Sequence, residues 1–168
     1  MVVQVKEKNA GDEVIKTPDN ENGAIADKVI RNYSLGSIVP SLIPVPVVDL
    51  VAVTAVQLKM LDSLSKTYDV PFKEQAARAA ITALVGSTVS LGTSRIVASA
   101  MKIIPVFGQL ASAATMPVVN GGITYAIGKV FKKHFETGGT LLSFDTSKMR
   151  DYFEEQFEEG KAIVSASK

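Results

Sequence analysis

Asp49 stands alone in SLIPVPVVDLVAVTAVQLKML, residues 41–61, a run with no other charge before Lys59. A carboxylate set among apolar residues is one way to raise an acid's pKa for proton transfer, but general acid–base work calls for a partner acid or histidine, and the run marks out none. Two structural readings compete. If a helix starts at Pro46, Asp49 lies where the free amides and the helix dipole favour an anion. Otherwise it is a buried partner for Arg31, Arg95 or Lys102, or a contact for another protein.

The other candidates for chemistry are equally sparse. His134 is the single histidine, and there is no cysteine, so disulfides, thiolate chemistry and cysteine zinc sites are excluded. GSTVSLGTS, residues 86–94, invites comparison with a phosphate loop. Such a loop spaces its glycines five apart and follows them with lysine; here the spacing is six and no lysine follows. No Ser-His constellation with a distinctive spacing stands out. The expectation is a non-enzymatic protein with no catalytic, metal or cofactor residues.

Composition narrows the partners. Lys+Arg total 18 against 17 Asp+Glu, which argues against a nucleic-acid binder, whose affinity rests on a basic surface. Apolar residues reach 46%, greasier than an ordinary soluble domain, and the length suits one domain. MVVQVKEKNAGDEV carries no basic stretch followed by an apolar core, so a cytoplasmic placement is expected.

The elements that must position these residues read as helices throughout, in a compact bundle of about five to seven with proline-broken apolar hairpins. Residues 1–22 are polar and aperiodic, and read as a disordered arm. AIADKVIRNY suits a short helix with Ile25, Val29 and Asn32 or Tyr33 on one side. Pro46 fits a first helical position, with Pro44 holding the preceding chain extended. That helix runs to about Tyr68, with Leu50, Val53, Leu58, Leu61 and Leu64 on its apolar face. Asp69 is a candidate cap for the next helix, whose Ala76, Ala79, Ala80, Ala83, Gly86, Ser87 and Ser90 form a ridge suited to close backbone approach.

Between Lys102 and Lys129 lies the longest uncharged run, of a length that could cross a bilayer. Pro105, Gly108, Pro117 and the Gly121-Gly122 pair interrupt it. KVFKKHF closes it, its cations answering either the negative helix end or anionic lipid headgroups. Gly138 and Gly139 permit unusual backbone angles in the loop that follows. Asp145 is placed to cap a last helix with Met149, Phe153 and Phe157 as its docking stripe, and Gly160 to end it. Its Glu154, Glu155, Glu158 and Glu159 read as a solvated face or a surface for a basic partner. The helical domain is therefore expected to span 23–160, with a flexible tail over 161–168.

IPVPVVDLVAVTAVQLKML, TMPVVNGGITYAIGKVF and HFETGGTLLSFD together resemble the YcjF-type family, domain-of-unknown-function family 697, across roughly residues 24–160. The resemblance implies a helical protein without established activity. It also implies association with Era-like P-loop GTPases and, for several members, placement at the inner membrane. The leading expectation is a non-enzymatic helical module at the cytoplasmic face of the inner membrane, acting through protein partners such as a P-loop GTPase, with membrane lipid as a further partner; the alternative is a soluble helical domain that binds an apolar ligand or partner protein. Asp49, Pro44, Pro46, Gly138 and Gly139 are the positions expected to matter for architecture or docking.

Overall fold

A computed structural model describes residues 18–38, 46–89 and 108–167. Five helices make up this part of the chain: α1 (Pro18–Gly36), α2 (Pro46–Thr67), α3 (Glu74–Val89), α4 (Gly108–Glu136) and α5 (Thr146–Ala166). The protein is an all-α bundle, with no strand among the described residues. α4 is its centre, packed against α1, α2 and α5, while α3 lies on α5 and α2.

α1 begins at Pro18, so 18–22 of the expected arm are helical. Proline at a first helical position loses nothing, because its missing amide proton would have had no partner there. The buried face of α1 is carried by Ala26, Ile30 and Ser34, with Ser37 buried just past its end, whereas Ile25, expected inside, is 51% exposed. Ile30 takes the inner position because α4 offers it a glycine: a Cβ on Gly128 would lie 2.7 Å from Ile30 Cγ1.

α2 starts at Pro46 and carries Val53, Leu58, Leu61 and Leu64 on its buried face, with Met60 and the polar Gln57 and Ser65 beside them. Gln57 Nε2 donates to Thr124 Oγ1 of α4 at 3.3 Å, so the amide entering the core brings its partner with it. Asp69 does not cap the next helix. It has φ +53° and ends α2: its own N–H and that of Val70 donate back to the carbonyls of Lys66 and Ser65 at 3.4 and 2.8 Å. This is the left-handed turn usually given to glycine, which aspartate tolerates better than most residues.

The ridge read on α3 largely faces outward. Ala77, Ala80, Ile81 and Leu84 are buried, while Ala79, Ala83 and Gly86 are exposed. Bulk decided the face: Ile81 and Leu84 remove more apolar surface from water than an alanine row can. Pro117 does not interrupt α4, which runs through it as one helix. A proline inside a helix removes one backbone bond and crowds the preceding turn, a cost that packing on several sides can offset.

α5 follows the expected start. Asp145 Oδ1 accepts from the Ser147 N–H at 3.0 Å and from the Ser147 hydroxyl at 2.6 Å. Phe153 and Phe157 are buried as the stripe requires. Gly160 does not end this helix, and 161–166 of the expected tail are helical. Gly160 is needed where α5 crosses α4: a Cβ there would meet Tyr125 Cβ at 2.7 Å and the Gly122 carbonyl at 3.0 Å. Beyond the crossing Val164 is buried, so the extra turns add to the core.

Candidate functional site

Asp49 is the fourth residue of α2, in its first turn. Its side-chain contacts lie outside the described residues, as do Arg95, Lys102, Pro44 and Pro105. Gly138 and Gly139 are placed in full. Gly138 has φ +80° and ends α4 as Asp69 ends α2: Gly138 N–H donates to Phe135 O and Gly139 N–H to His134 O, both at 2.9 Å. The chain then folds over the His134 ring, and a Cβ on Gly139 would overlap that ring.

His134 and Ser143 come together here, with Ser143 Oγ 3.4 Å from Nε2. They do not make a nucleophile and base. Nε2 is also 2.9 Å from the Thr140 carbonyl, which can only accept, so this nitrogen carries the proton and cannot take one from serine. Ser143 Oγ accepts from the Thr140 N–H at 2.9 Å, and among the described residues no carboxylate hydrogen-bonds the imidazole. The ring stands edge-on to Phe144 with centroids 5.3 Å apart. The cluster closes a loop, and among the described residues no group of three or more acids and histidines could hold a metal.

A charged cleft lies elsewhere, where α1, α4 and the end of α5 meet. Asp27 and Arg31 sit one turn apart on α1, Tyr125 and Lys129 one turn apart on α4, and Ile163, Ala166 and Ser167 close the far wall, around a cavity of ≈ 490 Å³. Asp27 divides its carboxylate between two lysines of α4, Oδ1 to Lys129 at 3.1 Å and Oδ2 to Lys132 at 2.6 Å. Both lysines are largely covered, at 20% and 14% side-chain exposure, whereas Asp27 is half-exposed. Partial burial works to raise the Asp27 pKa, but hydrogen bonds and charge from Lys132 and Lys129 outweigh it and hold the acid below its ordinary value.

Two tyrosines brace the ends of this arrangement. Tyr125 donates to Glu159 at 3.0 Å and Tyr68 to Glu136 at 2.9 Å. Burial first, and then the carboxylate each one meets, push both phenols well above their ordinary range. Each lysine of KVFKKHF has a partner within the protein: Lys129 and Lys132 meet Asp27, and the exposed Lys133 lies over the Tyr152 ring at 4.0 Å. Arg31 is exposed and has no ion pair among the described residues.

The sequence reading singled out neither Asp27 nor Tyr125. The available signal was a pair of spacings, Asp27 with Arg31 and Lys129 with Lys132, each placing two charges on one helix face. Nothing in the sequence brings those faces together; the packing of α1 on α4 does.

The family model for the domain of unknown function DUF697 matches residues 6–162. The chain belongs to this family. It is also 40% identical, over 154 residues, to a protein of Magnetospirillum gryphiswaldense named magnetosome membrane protein 22, an alignment covering 90% of this chain and 79% of the relative. No solved structure matches. The DUF697 relative is thus a membrane protein by name, whereas among the described residues of this chain no helix is long and apolar enough to cross a membrane.

Proposed function

We propose that the chain is a non-enzymatic helical module that sits at the cytoplasmic face of the inner membrane and acts through a protein partner. The observation that carries this reading is the relative named a membrane protein, matched along 90% of the chain. The described helices support attachment without crossing, since none of them is suited to span a bilayer. The long apolar run supports it differently: over 121–128 nearly all of its residues are buried in the protein core and so are not offered to lipid. A P-loop GTPase is the partner class that the family resemblance supplies. The non-enzymatic part of the reading is supported by His134 and Ser143, whose hydrogen bonds serve the loop.

Membrane fractionation with successive salt, carbonate and detergent washes tests the placement. The expected result is recovery with membranes and release by salt or carbonate. A monomer found wholly in the soluble fraction, without affinity for vesicles, would sink it. Affinity capture with purified P-loop GTPases in their GTP and GDP states tests the partner, with nucleotide-dependent retention expected.

A further inference from the structure

We propose that the cleft between α1, α4 and the end of α5 binds a phosphate ester of glycerol, with Arg31 as its principal ligand and Lys129 as the second cation. The charges facing the cleft set the class. Asp27 is already shared between Lys129, which lines the cleft, and Lys132, which also lies 3.8 Å from Glu136. Arg31 follows Asp27 by one turn of α1, lines the same cleft and has no ion pair among the described residues. A guanidinium offers phosphate a planar pair of N–H donors, and Lys129 keeps further N–H groups beyond the one on Asp27.

The hydroxyls point to what carries the phosphate. Tyr125 spends its proton on Glu159, and Ser167 spends its own on the Ile163 carbonyl at 2.8 Å. Both residues line the cleft, and a hydroxyl whose proton is committed in this way can only accept, which suits the hydroxyl protons of a polyol and not a bare inorganic anion. Ile163 and Ala166 offer an apolar wall to its carbons. A volume of ≈ 490 Å³ accommodates a group of that size. Two features oppose an anion: the Asp27 carboxylate, and the C-terminal end of α5, which carries about half a negative charge. Among the lining residues Arg31 and Lys129 set two cations against the one carboxylate.

Such an ester reaches the protein either as the headgroup of an anionic lipid or as free glycerol phosphate. The lipid case rests on the membrane placement proposed above; the free case stands without it. Calorimetry with glycerol 3-phosphate and co-sedimentation with phosphatidylcholine vesicles, with and without phosphatidylglycerol, separate the two. Binding in either arm is expected to weaken about tenfold or more in Arg31→Gln. Ala166→Glu, which sets a carboxylate on the far wall, should do the same, and Lys66→Gln, at an exposed residue that does not line the cleft, should bind as the parent does. Unchanged thermal midpoints show that the variants are folded. Binding to vesicles alone assigns the lipid source, and binding to both or to the soluble ester alone assigns the free one. Absence of binding in both arms, or binding indifferent to Arg31→Gln, overturns the proposal. A chain that leaves the membrane fraction yet binds glycerol phosphate through Arg31 would sink the placement and leave the cleft standing.

Discussion

Gly139 has no side chain because the His134 ring occupies that space, while Gly138 has none because its backbone turns left-handed. The two neighbours therefore fail differently when replaced. Gly138→Ala keeps every contact and pays for the turn, about 1–2 kcal/mol for a left-handed residue bearing a Cβ. Gly139→Ala must displace the ring from the Thr140 carbonyl, an overpacking cost of about 1–3 kcal/mol. Urea denaturation should rank both below the parent, and only Gly139→Ala should shift the His134 ring resonances. Asp27 offers a test by pH. Its folded pKa lies below the ordinary 3.8, so the unfolded chain binds the proton more readily. The stabilisation from Lys132 and Lys129 is then fully present above the ordinary value, and is lost as pH falls through the lower folded one. Asp27→Asn should be less stable than the parent at neutral pH, and the gap should close as denaturation is repeated towards pH 2. Asp145, also held low by the Ser147 hydroxyl, titrates in both proteins and cancels from the difference.

Gly122 and Gly160 let α4 and α5 cross nearly backbone to backbone. A Cβ at 160 would press on the Gly122 carbonyl and on Tyr125 Cβ, neither of which is the free end of a flexible chain. Alanine gains roughly 1 kcal/mol of helix propensity over glycine, but overpacking costs about 1–3 kcal/mol, so the clash decides the sign. Gly160→Val, bulkier still and a weaker helix former, should lower the denaturation midpoint more than Gly160→Ala. A stabilised Gly160→Ala would mean that the helices stand further apart. The same glycine shows where sequence reading fails. Periodicity gave the Phe153 and Phe157 stripe correctly because large side chains recur with the helical turn. Glycine has no such bias of its own: a helix stop and a helix crossing look identical until the partner helix is present. Asp69 is the converse, a left-handed helix end written with a residue that local pattern assigns to the next helix's cap.

At the scale of the whole chain, the all-α class and the starts at Pro46 and Asp145 were legible because local proline and carboxylate chemistry determines them. The destination of the longest uncharged run was not. A helix surrounded by other helices needs apolar or small residues on nearly every side, and so does a helix surrounded by lipid; hydropathy measures the need and not the neighbour. Along α4, Ala126, Ile127, Val130, Phe131 and Phe135 are buried against protein. The cleft was illegible for a related reason, since Asp27 and Lys132 are 105 residues apart and meet only after α1 docks on α4. This arrangement predicts an order of opening. Amides of α4 over 121–131 are enclosed by α1, α2 and α5, so they should exchange with deuterium only when the whole bundle unfolds. α3, held on fewer sides and with Ala79, Ala83 and Gly86 facing outward, should open well before that. Hydrogen exchange read by mass spectrometry would show peptides from 76–87 labelled while those from 121–131 stay protected, and mild denaturant should erase the difference as global unfolding takes over. Equal protection of the two would mean that α3 belongs to the same cooperative unit, held by contacts beyond the described residues.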